Sequence, residues 1–116
     1  MKMSSCSQDL PVFDRTILLT NCGGDETLVG EIEGLLLAQL SVARRSLREV
    51  APDERMGIAH ALKGTARSCG ALRLGDLAAR LEGEPEAEEN VASVTEAILS
   101  LEETLRADLA CVTGAG

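Results

Sequence analysis

Aliphatic side chains recur at spacings of three and four residues along most of this 116-residue chain, and this pattern limits the fold more than any other feature. Eighteen leucines and fifteen alanines accompany a single aromatic residue, Phe13. Such spacing lines one side of an α-helix with apolar side chains, and an aliphatic, aromatic-poor composition favours packed helices over β-sandwiches. A chain of this length has room for one core. The sequence therefore predicts a single all-α domain.

Residues that cap or interrupt helices divide the pattern into segments. Asp25 is a suitable N-cap, Pro52 is a favourable first helical residue, and Gly70 is a suitable left-handed residue at a helix end. The expected helices are a short lead-in helix at 12–20, a long helix from Asp25 to before Pro52, and helices at about 52–69, at 72–82 and from Val91 through Leu109.

Short connections between amphipathic helices make sequence neighbours antiparallel. We therefore expect an antiparallel up-down four-helix bundle with a short N-terminal lead-in helix, in which residues 83–90 are a charged connection or a frayed helix start. The expected division of the chain is a flexible N-terminus at 1–11, one helical domain at 12–112 and a tail at 113–116. The expected buried stripe of the long helix consists of Leu28, Ile32, Leu35, Leu36, Gln39, Ala43 and Leu47.

The net charge of −8 and a pI near 4.6 argue against a nucleic-acid-binding protein, because phosphate backbones bind to concentrated basic surfaces. The charge is unevenly distributed along the chain. Residues 41–80 carry eight basic and four acidic side chains, whereas residues 81–116 carry one basic and nine acidic side chains. A basic middle third therefore stands within an acidic protein.

The cysteines form no C-x-x-C pair, so we expect free thiols rather than a zinc site or a disulfide framework. They are Cys6, Cys22, Cys69 and Cys111. No apolar run has the length of a secretory signal or of a membrane span. We expect a soluble, cytoplasmic protein.

The one histidine of the chain, His60, lies within AHALKGTARSCG at 59–70, in the predicted helix at 52–69. At about 100° per residue, one side of this helix is apolar. That side consists of Ile58, Ala59, Leu62, Ala66 and Cys69. The other side carries His60 together with Met56, Gly57, Lys63, Gly64 and Arg67. An outward-facing histidine is not a core residue, and one histidine without other ligands at helical spacing does not indicate a metal site.

Gly64 lies one helical turn after His60 on the same face and lowers helix stability by ~1 kcal/mol relative to alanine. It clears space beside the imidazole, while Lys63 and Arg67 flank that space with positive charge suited to an anionic group. Neutral imidazole is a nucleophile, and an ordinary pKa of about 6.5 leaves much of it neutral near pH 7. These residues favour phosphoryl acceptance and donation. A solvated surface histidine remains open, whereas a Cys–His hydrolase is disfavoured because Cys69 lies on the buried side.

The run AHALKGTARSCGALRLGDLAARLE at 59–82 resembles the signature of the histidine-containing phosphotransfer domain, or Hpt domain, of multi-step two-component phosphorelays. The matching elements are His60, Leu62, Lys63-Gly64, Thr65, Gly70-Ala71 and Leu81-Glu82. Phe13-Asp14, the GGD at 23–25 and the long leucine-rich helix extend the similarity to about residues 12–110 with less specific motifs. Arg67 departs from the pattern, because the family often has a small residue there.

This resemblance implies a four-helix bundle that carries a phosphoryl group and has no kinase activity of its own. His60 would accept the group from a phospho-aspartate of one receiver domain and pass it to another. The implied partners are receiver domains of response regulators and of a hybrid sensor histidine kinase. No cofactor is expected on this chain, since the receiver supplies Mg²⁺. We expect a monomer with no nucleic-acid or membrane partner.

The resemblance also assigns roles around His60. Lys63 is the charge partner of the phosphoryl oxygens, and Glu82 orients the imidazole by accepting a hydrogen bond from its far nitrogen. The docking surface is bordered by Met56, Gly57, Gly64 and Arg67. Two other classes of function stay open: a non-phosphorylated interaction module that binds an acidic signalling partner, and an enzyme that uses His60 as acid or base, which needs a concave pocket.

Overall fold

The computed structural model describes residues 6–112, with side chains from 8 to 111, and over this range the secondary structure is α-helical without a strand. The helices are α1 (Cys6–Asp9), α2 (Arg15–Asn21), α3 (Glu26–Glu49), α4 (Pro52–Cys69), α5 (Leu72–Gly83) and α6 (Glu88–Val112). The prediction of an all-α chain is confirmed. Residues 1–5 of the predicted flexible N-terminus and the predicted tail at 113–116 lie outside the described residues.

The helix starts follow local signals in the sequence. Asp25 begins α3 by accepting hydrogen bonds from the backbone N–H groups of Thr27 (3.0 Å) and Leu28 (3.1 Å). Pro52 occupies the first turn of α4, where its missing N–H leaves no helical bond unmade. Because α6 begins at Glu88, residues 84–87 form the connection and the last part of the charged stretch belongs to the helix.

The C-terminal end of α4 is fixed by a close approach between Gly70 and Asp14. Gly70 has a φ of 88°, in the left-handed region, and its carbonyl accepts a hydrogen bond from the N–H of Asp14 (2.8 Å). A Cβ at residue 70 would collide with the Asp14 carbonyl. Glycine is therefore needed here both for the backbone conformation and for the contact with the start of α2.

One apolar core is shared by α2 and the four long helices. Its most deeply buried large side chains are Val29, Leu40, Leu47, Leu74, Leu81, Val94, Ile98, Leu101 and Leu105. α4 packs along α5, α5 against α6 and α6 against α3, whereas α3 and α4 have few contacts with each other. Along the α3–α6 contact, Gly30 faces Leu109, and Nη2 of Arg44 lies 3.1 Å from Oε2 of Glu102.

The predicted buried stripe of α3 is confirmed at Leu36 and Leu47, but the buried face as a whole is rotated by about one residue from the predicted one. Leu35 is 65% exposed, Leu28 is 37% exposed and Gln39 is exposed, whereas Ile32 and Ala43 are half-buried. The residues that are buried are Val29, Glu33, Leu36, Leu40 and Leu47. The prediction followed the spacing of the aliphatic residues, but Glu33 lies on the core side, so the buried face is rotated from the predicted one.

The segment before α2 is held against α5 by Arg73. The predicted lead-in helix at 12–20 begins later, at Arg15, because Asp14 supplies the N-cap of α2. Upstream of it, Nε and Nη2 of Arg73 donate to the carbonyl oxygens of Leu10 and Gln8, each at 3.0 Å. Residues 8–10, assigned from the sequence to a flexible N-terminus, therefore contact the helical core.

Within residues 6–112, no helix combines the length and the apolar character that a membrane crossing requires.

Candidate functional site

His60 lies in the middle of α4 with its side chain 70% exposed. The neighbouring positions on the same face, Met56, Gly57, Gly64 and Arg67, are also exposed, while Lys63 is half-buried. The opposite side of α4 packs into the core through Ala59, Leu62, Ala66 and Cys69, with Arg55 buried as well. The orientation of α4 predicted from the helical wheel is confirmed, apart from Ile58, which is half-buried.

Glu82, in the last turn of α5, reaches across to α4 and contacts two side chains at once. Its Oε2 lies 2.7 Å from Nδ1 of His60, and its Oε1 lies 2.6 Å from Nζ of Lys63. The two α4 residues are three positions apart and so face the same side of the helix. Close packing of α4 on α5 therefore joins three residues that are separated by up to 22 positions in sequence.

The hydrogen bond to Glu82 decides which ring nitrogen of His60 carries the proton. Hydrogen bonds from Lys63, and secondly from His60, hold the pKa of Glu82 below its ordinary value. An ionised carboxylate can only accept, so Nδ1 of the imidazole must be the donor. In a neutral ring the lone pair then belongs to Nε2, on the side of the ring away from Glu82. The nucleophilic nitrogen is therefore the one that is not bonded to Glu82.

The backbone beside His60 is bare on both neighbouring turns. Apart from the backbone of α4 itself, a Cβ placed at Gly57 or at Gly64 would meet no atom of the described residues within 4 Å. Both glycines lie within the helix and weaken it relative to alanine, and no packing contact among the described residues requires a glycine at either position. The space they leave open is available to a group that approaches His60 from outside.

The model of the Hpt domain family matches residues 27–110 of this chain. The chain belongs to the Hpt domain family. The match includes all of α4, α5 and the site residues, so the family resemblance based on 59–82 is confirmed. The weaker similarity upstream of residue 27 lies outside the matched range. A search of curated proteins and a search of solved structures each gave no match.

Membership establishes the general chemistry of this Hpt domain. Hpt domains take part in histidine phosphotransfer in two-component signalling and act with the receiver domains of phosphorelays. They carry phosphoryl groups and have no autonomous catalytic activity. In this Hpt domain His60 is the one histidine.

Arg67, which the sequence predicts to flank the space beside His60, also contacts α5. A Cβ added at Gly75 of α5 would lie 3.0 Å from Cγ and 3.7 Å from Nε of Arg67, so the arginine stem crosses over α5 at Gly75. The positive charge that contacts the histidine's partner is that of Lys63. Sequence reasoning missed Gly75, although its small size at a buried position facing Ala66 was a usable signal of close helix approach.

The sequence also did not predict that Lys63 and Glu82 are paired. The sequence assigned Lys63 to a phosphoryl group and Glu82 to the imidazole, whereas in the structure the Glu82 carboxylate contacts both Lys63 and His60. The Lys63–Glu82 contact depends on how closely α4 and α5 pack against each other, and helical periodicity does not determine this distance. Each side chain is 25% exposed, so the ion pair is only partly open to solvent.

A second polar cluster lies where α3 meets α6 and was not predicted. Glu33 is fully buried, and no N–H or hydroxyl group reaches its carboxyl oxygens. Burial and a hydrogen bond with Asp108 raise the pKa of Glu33 to about 8. That same bond, and Arg15 at 2.9 Å, hold the pKa of Asp108 below its ordinary value. Glu33 is therefore protonated near neutral pH while Asp108 is ionised.

Among the described residues, no group of three or more histidine, cysteine or acidic side chains has the arrangement of a metal site. Cys22, Cys69 and Cys111 are free thiols, and burial raises the pKa of Cys69. The Cys6 side chain lies outside the described residues.

Proposed function

We propose that this Hpt domain is a stand-alone phosphohistidine carrier in a multi-step phosphorelay. His60 accepts a phosphoryl group from a phospho-aspartate of one receiver domain and passes it to an aspartate of another. The observation that carries this proposal is the exposed His60 ring, whose Nδ1 is bonded to Glu82 and which lies on a helix face left open by Gly57 and Gly64. The partners are receiver domains of response regulators and of a hybrid sensor histidine kinase.

The chemistry follows from the position of the lone pair. Nε2 of His60 attacks phosphorus as the bond between phosphorus and the aspartyl oxygen breaks, and the aspartate leaves as a carboxylate. In donation to a second receiver the steps run in reverse: the aspartate attacks phosphorus, the N–P bond breaks, and its electrons return to Nε2. Lys63 offsets charge on the phosphoryl oxygens, and Glu82 orients the ring. Met56, Gly57, Gly64 and Arg67 border the receiver. No cofactor is proposed for this chain, and Mg²⁺ belongs to the receiver.

The proposed architecture is an antiparallel four-helix bundle of α3 to α6, within a domain at 12–112. Two contacts along the α3–α6 interface support antiparallel packing of these helices. Residue 30 faces residue 109 and residue 44 faces residue 102, so residue numbers rise along α3 as they fall along α6. The α4–α5 contacts do the same, since residue 67 lies against residue 75 and residue 60 against residue 82. We further propose that the carrier is a cytoplasmic monomer.

The direct test is transfer of a labelled phosphoryl group from a phosphorylated receiver domain to the purified chain. We expect label that is lost in acid and retained in alkali, as an N–P bond requires, and none on His60→Gln. The matched control Glu86→Gln changes an exposed residue outside the site and should label like the wild type. Label that persists on His60→Gln, or no label on the wild type from any receiver of the host, would contradict the proposal. Receiver binding that survives His60→Ala without any transfer would instead support the non-phosphorylated interaction module.

A further inference from the structure

We infer that Arg67 is a specificity-determining residue whose guanidinium selects receiver domains that carry an aspartate or glutamate opposite it in the docked complex. This inference rests on the proposed function, because it names the chemistry of the partner that docks on the face of His60. It goes beyond the family resemblance, since the family often has a small residue at this position and so assigns no role to an arginine there.

The stem of Arg67 is held in place by α5. A Cβ added at Gly75 would lie 3.0 Å from Cγ and 3.7 Å from Nε of Arg67, and 3.8 Å from Cβ of Ala66. Gly75 is a buried residue of α5, and its missing side chain leaves the notch in which the arginine stem lies. A side chain that is already ordered before binding loses less entropy when a partner pairs with it.

The guanidinium at the end of this stem is exposed, and no carboxylate of residues 8–111 lies within ion-pair distance of it. The acidic residue that follows the notch, Asp76, instead has its Oδ2 3.6 Å from Nε of Arg80. Other arginines of the chain contact a carboxylate, as Arg15, Arg44 and Arg55 do. The fold therefore fixes the stem of Arg67 and leaves its charge available to a partner.

This charge lies on the face of α4 that carries His60. Residue 67 follows residue 60 by seven positions, which places it on the same side of the helix, two turns and about 10 Å further along the axis. Lys63, the other cation beside the histidine, already has its charge offset by Glu82 at 2.6 Å. A receiver docked over His60 would therefore meet in Arg67 a cation that no carboxylate of the described residues neutralises.

The chemistry of a guanidinium narrows the choice of partner group. Its planar set of N–H donors matches the two oxygens of a carboxylate, and it stays charged near neutral pH. The phosphoryl group would be two helical turns away and closer to Lys63, so the group opposite Arg67 is a side chain of the receiver surface. A lysine or arginine of a receiver at that place would be repelled. Arg67 therefore favours acidic receivers and also excludes basic ones.

The test measures binding and phosphoryl transfer for the wild type, Arg67→Met and Arg67→Lys with a set of purified receiver domains of the host. Arg67→Met keeps an unbranched stem over Gly75 and removes the charge, so it separates packing from recognition. For a receiver that Arg67 selects, we expect the dissociation constant and the half-saturating receiver concentration to rise about tenfold, with a smaller change in the maximal rate. Arg67→Lys should recover part of the loss, and added salt should reduce the difference. Arg106→Met, which changes an exposed arginine of α6, is the matched control and should bind like the wild type.

A charge exchange identifies the partner group. Arg67→Glu should weaken binding more than Arg67→Met does, because it repels the acidic residue of the receiver. Replacing that aspartate or glutamate of the receiver by lysine should restore binding to Arg67→Glu and weaken binding to the wild type. If no single acidic residue of the selected receiver gives this exchange, the inference is wrong.

Gly75→Ala tests the notch without changing the charge. Its Cβ would displace Cγ of Arg67, so we expect receiver binding to weaken several-fold in the wild-type background and to stay the same in the Arg67→Met background. Thermal unfolding of each variant shows whether the fold is kept. An equal loss of binding in both backgrounds would mean that Gly75 acts on the packing of α4 and α5 rather than through Arg67, and would overturn the role of the notch.

The possible outcomes separate the inference from the proposed function. Equal affinities of the wild type and Arg67→Met for every receiver that transfers would overturn the inference while the proposed function stands. A lower maximal rate at unchanged affinity would also overturn it, because it would place Arg67 at the phosphoryl group. Equal losses in Arg67→Met and Arg106→Met would show an effect of net charge alone and overturn it as well. If the wild type takes no label from any receiver of the host, the proposed function fails, and the inference fails with it.

Discussion

Glu33 of α3 is fully buried, and its carboxyl group and that of Asp108 of α6 shift each other's pKa in opposite directions, Glu33 upward and Asp108 downward. In the unfolded chain Glu33 has its ordinary pKa of 4.5, whereas in the folded protein the value is about 8. Between these values the folded state binds one more proton than the unfolded state. The free energy of unfolding should therefore fall as pH rises, by at most about 1.4 kcal/mol per pH unit. The lowered pKa of Asp108 acts below its ordinary value of 3.8, outside this window.

Glu33→Gln should remove that slope, because the amide can donate to Asp108 without losing a proton. Urea unfolding followed by circular dichroism at several pH values between the two limits is the appropriate measurement. Glu31→Gln, an exposed position on α3, is the matched control and should keep the wild-type slope. Equal slopes for the wild type and Glu33→Gln would show that Glu33 is ionised in the folded protein.

Gly64→Leu should block receivers while leaving the fold as stable as the wild type or more so. The site beside residue 64 is open, so the chain accommodates a side chain there and gains up to ~1 kcal/mol in helix propensity. A receiver that approaches His60 would meet that side chain. Thermal unfolding and a transfer assay measure the two effects. Gly34→Leu, at an equally open helix position of α3, should give the stability gain without the block, and a loss of stability in Gly64→Leu would mean that this face is covered.

Lys63→Ala should slow phosphoryl transfer more than it weakens receiver binding. Its ammonium group acts most strongly as charge redistributes over the phosphoryl oxygens in the transition state, and loss of one such donor typically costs about a hundredfold in rate. Single-turnover transfer rates and equilibrium binding to the unphosphorylated receiver separate these contributions. Lys63→Arg should restore part of the rate. Parallel losses in affinity and rate would assign Lys63 to docking instead.

Gly70→Ala should destabilise the fold by more than ~1 kcal/mol, since the left-handed φ of 88° disfavours alanine and its Cβ meets the Asp14 carbonyl. Gly83→Ala is the corresponding control, because residue 83 has open space and no positive φ. Chemical denaturation of both variants would reveal the difference. A Gly70→Ala protein as stable as Gly83→Ala would require that α2 move away from the end of α4.

The two long helices next to the site show what periodicity can predict. In α4 the core side carries Ala59, Leu62, Ala66 and Cys69 and the outer side carries His60 and both glycines, so the outward face was predictable from the sequence. Met56 on the outer side and Arg55 on the core side are exceptions to the pattern. In α3 aliphatic residues occur on more than one side, and Leu35 and Leu36 cannot both face the core. The choice is made by packing against α6, where a protonated glutamate is accepted because Asp108 lies opposite. Helical periodicity that counts every glutamate as a charged surface residue cannot predict a buried, protonated Glu33.

At the site, the sequence predicted residues individually but not their mutual contacts. His60 and Glu82 were associated through the family resemblance, and the structure places them 2.7 Å apart. Two other contacts depend on how closely α4 and α5 pack together. They are the bond from Lys63 to the same carboxylate and the crossing of Arg67 over Gly75. The closeness of this packing is determined by small residues at the contact, here Ala66 of α4 and Gly75 of α5. Their effect depends on both helices together and cannot be derived from either helix alone.

The contact between Arg73 and the segment before α2 does not depend on the side chains of that segment. The hydrogen bonds from Arg73 go to main-chain carbonyls, namely those of Gln8 and Leu10 from its guanidinium and that of Pro11 from its backbone N–H. Changes of side chain at residues 8 and 10 leave these acceptors in place. Replacement of the one Arg73 side chain removes both guanidinium bonds at once, so the attachment of the segment is encoded in α5 rather than in the segment itself.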